Sequence, residues 1–331
     1  MAVLDILLWL LGALFLSACF VAGYFVLATR RIAADAERKI PQVGKFVPIG
    51  DDRIRYVEAG QGRPILFLHG LGGQLHHFRH TLFDRLSGDF HLVAIDRPGS
   101  GYSVRGSGGT GKLGEQAKTV AAFIDSLGLE RPLIVSHSLG GAVALALALD
   151  YPEKGSGLAL LSPLTHEEDK VPREFAALMI RSALKRKLLA HTTAIPTSLK
   201  FAAQTLAFVF GPQTTPEDYI VEGGGLLGLR PSHFEATVLD FVALEGELRR
   251  YEARFEEIDV PVGVMFGSAD QVLSHEKHGL PLAGRIRNFE FELLDGIGHM
   301  PQFVVADDVE AFVRRIAERS FATEAAASAA Q

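Results

Sequence analysis

The chain has 331 residues, a formal net charge of −6 and 48% apolar residues. That length can bury one large core with an insertion or two small cores, and the acidic balance argues against a nucleic-acid partner. A single cysteine, Cys19, excludes an internal disulfide and any cysteine-based zinc site.

The excess apolarity begins near the N-terminus. Residues 6–28 carry no charged side chain, and about 20 apolar residues in a helix cross the hydrocarbon core of a bilayer. Asp5 precedes the run; Arg30, Arg31, Arg38 and Lys39 come after it. A secretory signal would carry its positive charge ahead of the run. Leu16-Ser17-Ala18-Cys19 resembles a lipoprotein cleavage site, yet the apolar run continues past it and lacks a basic start. The pattern predicts a single-pass membrane anchor over residues 1–31, with membrane lipid as its partner. The basic flank then places the rest of the chain in the cytoplasm. A periplasmic location, or lipoprotein processing at Cys19, is the alternative. Residues 32–45 read as a juxtamembrane linker, helical at first and ended by Pro41.

Residues 46–49 and 54–58 predict two strands joined by a turn at Gly50-Asp51-Asp52. Residues 64–68 form a continuous apolar strand that ends in His69-Gly70-Leu71-Gly72-Gly73. Glycines leave backbone N–H groups unshielded, so this loop can supply an oxyanion donor, the N–H of Leu71. Gly70 and Gly72 support that loop, and His69 serves its geometry rather than the chemistry. His76 and His80 would share a helix face, but no third ligand accompanies them. With His77 they read as polar surface or rim residues, and no metal is expected. Residues 91–95 are the next strand, and Asp96 with Pro98 and Gly99 makes a turn at its end. Residues 106–112, GSGGTGK, imitate a phosphate loop, but Leu113 stands where a magnesium-holding hydroxyl would be. They read as a loop, with an amphipathic helix over 113–127 after it.

The stretch with the most chemical content is Leu133-Ile134-Val135-Ser136-His137-Ser138-Leu139-Gly140-Gly141. A buried strand runs into a tight corner and then a helix. A serine at the corner, Ser138, has its hydroxyl lifted above the carboxyl edge of a parallel sheet at a helix N-terminus, which suits a nucleophile. Gly140 fits the sharp turn, and the N–H of Leu139 would be the second oxyanion donor. Position 136 departs from the usual G-x-S-x-G pattern, with the small Ser136 in place of glycine. His137 and Ser136 are supporting residues.

Residues 158–161 are another buried strand. Residues 164–250 then read as helical, broken by Pro172, Pro196, Pro212, Pro216, Pro231 and Gly223-Gly224-Gly225. This predicts a helical lid over the site, with some of Phe201, Phe208 and Phe210 turned to the substrate. The sheet resumes at 261–267, with Asp270 just beyond, and at 289–294, with His299 just beyond. Loops after parallel strands open on one edge, so Ser138, Asp270 and His299 can converge there. A histidine base must take the seryl proton, and a carboxylate must hold its ring. Asp295 is the competing acid and suits a loop-fixing role. Residues 309–319 predict a closing helix, and 320–331 an Ala-rich, frayed tail.

The Ser138 elbow, the HGLGG loop, the DRPGSGYS turn, the FGSAD acid and the GIGHMPQ histidine stand in an order and spacing that resemble the α/β-hydrolase superfamily. The resemblance covers about residues 46–319. It implies an α/β-hydrolase fold: a mostly parallel central sheet with helices on both faces, built from residues 46–163 and 251–319, with the helical lid inserted and one transmembrane helix ahead of it. It implies Ser138 as nucleophile, Asp270 as acid, His299 as base, and Leu71 and Leu139 as oxyanion donors. Serine at the elbow argues against the branches that use an aspartate nucleophile. The expected activity is that of a serine carboxylesterase or lipase acting on a small lipophilic ester through an acyl-enzyme, with no cofactor. The same triad also supports carbon–carbon, amide or lactone hydrolysis and perhydrolysis, and the same pocket could serve a non-catalytic sensor of a small ligand.

Overall fold

The computed structural model describes residues 2–329. Eight strands form one sheet: β1 (Lys45–Ile49), β2 (Asp52–Ala59), β3 (Arg63–Leu68), β4 (Phe90–Ile95), β5 (Leu133–His137), β6 (Gly157–Leu161), β7 (Val262–Gly267) and β8 (Phe289–Leu294). Their spatial order is β1-β2-β4-β3-β5-β6-β7-β8. The β1–β2 and β2–β4 pairs are antiparallel, and every pair from β4 to β8 is parallel. The central strands are apolar throughout because both faces are covered. Two helices, α3 (Leu113–Leu127) and α4 (Leu139–Asp150), bury one face. On the other lie α2 (His76–Leu86) and the closing helix, α12. That helix runs over Ala306–Ala329, so the Ala-rich segment is helical rather than frayed up to residue 329. Alanine has the best intrinsic helix propensity, and the core-docked turns before it supply the nucleus.

The first helix, α1, runs unbroken over Ala2–Lys39 and is long and apolar enough to cross a membrane. The segment from 32 onward is therefore a rigid extension of it rather than a loose tether. Between β6 and β7 the chain is helical: α5 (Ala183–Ala190), α6 (Ala194–Lys200), α7 (Ala202–Phe210), α8 (Pro231–Val242) and α9 (Glu247–Glu252), with 3₁₀ turns at Arg173–Leu178 and Gly225–Leu229. Two one-turn helices, α10 (His275–His278) and α11 (Pro301–Val304), flank β8.

The insertion is bolted to the sheet by a buried ion pair. Arg97, in the loop after β4, donates from Nη1 to Asp240 of α8 at 2.7 Å, and neither side chain is more than 1% exposed. Arg105 also pairs with Asp240. Removing one partner of such a pair strands a charge away from water, which costs about 3–5 kcal/mol, whereas an apolar pair of similar volume is far better tolerated. Asp240→Ala should therefore lower the unfolding free energy by roughly that amount, measured by urea denaturation in detergent. The double change Arg97→Met with Asp240→Leu should lose less than Asp240→Ala alone.

Candidate active site

The corner between β5 and α4 is strained. Ser138 has φ 54° and ψ −120°, a left-handed conformation that an L-residue adopts at a cost of about 1–3 kcal/mol. The surroundings hold it there. Its N–H donates to Leu161 O at 3.0 Å, and its carbonyl accepts from Gly141 N at 2.8 Å and Leu164 N at 3.0 Å. A Cβ on Gly140 would lie 2.3 Å from Leu68 O, and one on Gly141 would lie 2.5 Å from Pro163 Cβ. Both positions require glycine because the helix start presses against the neighbouring strand ends. Ser136 is fully buried in β5, and its hydroxyl has no partner.

Loops after β7 and β8 reach the same edge. Asp270 lies just past β7, and its carboxylate is fixed at both oxygens. Oδ1 accepts from the N–H groups of Val272 at 2.8 Å and Leu273 at 3.0 Å, while Oδ2 meets His299 Nδ1 at 2.7 Å. The Asp270 side chain is 1% exposed and that of His299 5%. A carboxylate on Nδ1 fixes the proton there and leaves Nε2 free as a base. His137, next to the elbow serine, donates from Nε2 to the carbonyl of His299 at 2.8 Å, and their rings lie 4.8 Å apart. Burial holds His137 neutral, well below the ordinary histidine range. Among the described residues no hydrogen bond joins the Ser138 hydroxyl to His299. Such contacts are often open without substrate and tighten when it binds. Asp295 is elsewhere: it accepts from Ser268 Oγ at 3.1 Å and fixes its own loop.

The loop after β3 completes the edge. A Cβ on Gly70 would lie 2.9 Å from Ser138 Cβ, so the two loops are in contact. His69 is fully buried and neutral because of that burial. Its Nδ1–H donates to Gly70 O at 2.8 Å and its Nε2 accepts from Arg97 N at 2.9 Å. Arg97 also donates from Nη2 to Gly70 O at 3.0 Å and from Nε to His69 O at 2.9 Å. In a trans peptide the C=O and the following N–H point in opposite directions. Holding Gly70 O from two sides therefore turns the Leu71 N–H away from Arg97. Neither that N–H nor the Leu139 N–H has a hydrogen-bond partner among the described residues. Both are available to a developing negative charge.

Sequence reasoning missed the residues that brace this loop. His233 of α8 donates from Nε2 to Gly72 O at 3.0 Å and accepts at Nδ1 from Gly101 N at 2.9 Å. Gln74 donates to Gly223 O at 2.8 Å. None carries a local signal, since each partner lies far away along the chain. Two of the three neighbouring histidines depart from expectation. His76 and His77 are buried, not surface residues: α2 turns its first residues inward, where His76 Nε2 accepts from Arg55 at 3.2 Å and His77 packs edge-on to Phe303 at 5.5 Å. His80 pairs with Asp218 at 2.8 Å, and no cluster of three metal-ligating side chains exists among the described residues. Phe210 is fully buried against Tyr219 and Phe303 and so cannot face a substrate; Phe208 packs on Phe175 in the half-buried part of the insertion.

Comparison with known proteins agrees with this architecture. A family model described as the alpha/beta hydrolase fold matches residues 63–218. The chain has the α/β-hydrolase fold. It is 38% identical over 142 residues to the dihydrolipoyllysine-residue acetyltransferase component of an acetoin cleaving system from Cupriavidus necator, a match that covers 42% of this chain and only 37% of that relative. It is 28% identical over 262 residues to a 2-hydroxy-6-oxononadienedioate/2-hydroxy-6-oxononatrienedioate hydrolase from Paraburkholderia phymatum, covering 77% of this chain and 87% of the relative. Among solved structures it is similar to a membrane phospholipase A, with a TM-score of 0.64 and 23% identity over 94% of this chain and 98% of that one.

The buried histidines give this hydrolase a pH-dependent stability. Burial pushes His77 down to about 3 and His233 down to about 4, from 6.5. Below pH 6.5 the unfolded chain takes up protons that the folded one refuses, so stability present above that pH is lost as the pH falls toward the folded values. From pH 7 to pH 5 each such histidine should cost about 2 kcal/mol. His77→Phe keeps the aromatic packing and removes one titration, so urea denaturation at the two pH values should give a shallower loss than in wild type.

Proposed function

We propose that this chain is a membrane-anchored serine hydrolase that cleaves a lipophilic carboxylic ester through an acyl-enzyme. Ser138 attacks the acyl carbonyl while His299 takes its proton, and Asp270 holds the ring and favours the imidazolium. The oxyanion accepts hydrogen bonds from the N–H groups of Leu71 and Leu139. His299 then protonates the leaving alcohol and activates the water that releases the acid. Residues 164–250 act as the lid, and α1 anchors the domain, with Arg30, Arg31, Arg38 and Lys39 favouring a cytoplasmic location. The observation that carries the reading is the buried Asp270–His299 contact, 2.7 Å long, on the sheet edge where the strained elbow presents Ser138.

The nature of the substrate rests on charge. The relative from Paraburkholderia phymatum is named for dioate substrates, and a dioate carries two carboxylates. Recognising those inside a site calls for free cations. Here the two fully buried arginines are already engaged: Arg97 by Asp240 and loop carbonyls, Arg55 by Asp96 at 3.0 Å and Val43 O at 2.7 Å. This favours a neutral, oily acyl group. Carbon–carbon bond hydrolysis on the same triad is the second reading, favoured by the similarity to that relative over 77% of this chain.

Initial rates in detergent on p-nitrophenyl esters from acetate to palmitate test the proposal. Wild type should turn over the longer esters, and Ser138→Ala and His299→Ala should each lose at least about 10⁴-fold in kcat. Asp270→Asn should fall by a similar order with little change in KM, because it acts through the histidine. Wild-type rates no higher than those of Ser138→Ala on every ester would overturn the esterase reading and bring the carbon–carbon reading forward.

A further inference from the structure

We infer that the outer face of the helical insertion is a lipid-contact surface, so that the hydrolase takes its substrate from the bilayer leaflet beneath it rather than from water. The inference rests on α1 being a membrane anchor, and three observations extend that reading to the insertion.

The first is where α1 docks. Residues 3–24 are exposed on every side, and burial begins at Phe25. Thr29, 1% exposed, donates to Thr192 O between α5 and α6 at 2.5 Å. Further along, Ala36 is buried, Glu37 accepts from Arg230 Nε at 2.7 Å, and Tyr102 donates its hydroxyl proton to Ile40 O at 2.6 Å. The helix packs on α6 and on the 225–229 turn. The uncharged run ends at Ala28. The insertion therefore touches α1 at the level where the helix leaves the hydrocarbon, and α1 continues without a break through that point. A rigid helix with a fixed exit point leaves α5 and α6 beside the headgroups.

The second observation is what those helices expose. Leu184 is 79% exposed and Leu188, one turn further on α5, 62%. Leu199 and Phe201 are each 47% exposed. Large apolar side chains concentrated on one short segment are unusual on a water-facing surface. The third is their company. Lys185, Lys187 and Lys200 are exposed among them, and Arg30 and Arg31 stand at the exit of α1. Apolar side chains interleaved with lysine are the composition of segments that lie in the interface of an anionic membrane, where each cation adds attraction and the apolar groups bury in the acyl boundary. A second copy of the chain would gain nothing from facing these lysines with its own.

The test uses the full chain in vesicles of phosphatidylcholine and phosphatidylglycerol, with and without brominated acyl chains. In a Cys19→Ser background, an environment-sensitive fluorophore is attached through Leu188→Cys, Phe201→Cys or, as a control on the exposed end of α3, Ser126→Cys. Positions 188 and 201 should emit to the blue of position 126 and lose most of their emission to the brominated lipid, while 126 loses little. If the protein floats with the vesicles but all three positions respond alike, the anchor holds and the lipid-contact surface is refuted. Blue emission at 188 and 201 that ignores bromine would mean another protein surface covers them and would also overturn the inference. A protein that fails to float with the vesicles refutes the anchor itself, and the inference with it.

Discussion

Much of this structure depends on one guanidinium that has no route to water. Arg97 is buried completely, and each of its donors ends on a carbonyl or a polar side chain: His69 O, Gly70 O, Gln116 and Asp240. A buried cation is stable only when paired and hydrogen-bonded all round. That requirement fixes three parts of the chain relative to one another. It holds the loop after β3 by two successive carbonyls, it fastens α3 through Gln116, and it seats α8 through Asp240. Because the Gly70 carbonyl is turned inward, the Leu71 N–H is turned outward. A charge placed for packing thus sets the direction of a backbone dipole at the candidate site.

The insertion divides into two parts by what holds them. The α8 half is tied to the sheet by Asp240, by His233 on Gly72 O and by the Gln74 contact to Gly223. Each of these bonds is buried, so moving α8 would break several at once and disturb the loop that carries Leu71. The α5–α7 half has few buried side chains, Ala190, Ile195 and Phe210 among them, and meets the start of the docked part of α1 through Thr192 and α6, while the 225–229 turn and Arg230 meet α1 as well. Any opening of the site to a large substrate is cheaper there, where little burial is lost. The half that can give way is also the half nearest the exit of α1.

Legibility in the sequence tracks the range of the forces involved. Strand positions were legible because a parallel sheet covered on both faces demands unbroken apolar runs, and 64–68, 133–135 and 158–161 supply them. The elbow was legible because strain must be local: a left-handed serine needs Gly140 and Gly141 beside it. Asp270 and His299 could be paired because each comes directly after a parallel strand. The braces were not legible. Asp240 lies 143 residues from Arg97, and His233 lies 161 residues from Gly72. Nothing near either polar residue distinguishes it from a solvated one. The burial of His76 and His77 was misread for the same reason, since Arg55 beside His76 and Phe303 beside His77 are supplied by other elements. The helical tail was misread differently: alanine-rich sequence frays alone but propagates from a docked helix.

Reactivity and selectivity are separated in this chain. The strain at Ser138 is sustained by bonds to Leu161, Gly141 and Leu164, all within the sheet and its first turns. No residue of α5–α9 contributes to them. A change in the insertion can therefore alter what reaches the elbow without relaxing the elbow itself. The two fully buried arginines, Arg97 and Arg55, are committed to holding the fold together. Freeing Arg97 would mean giving up its pair with Asp240, and with it the orientation of the Gly70–Leu71 peptide.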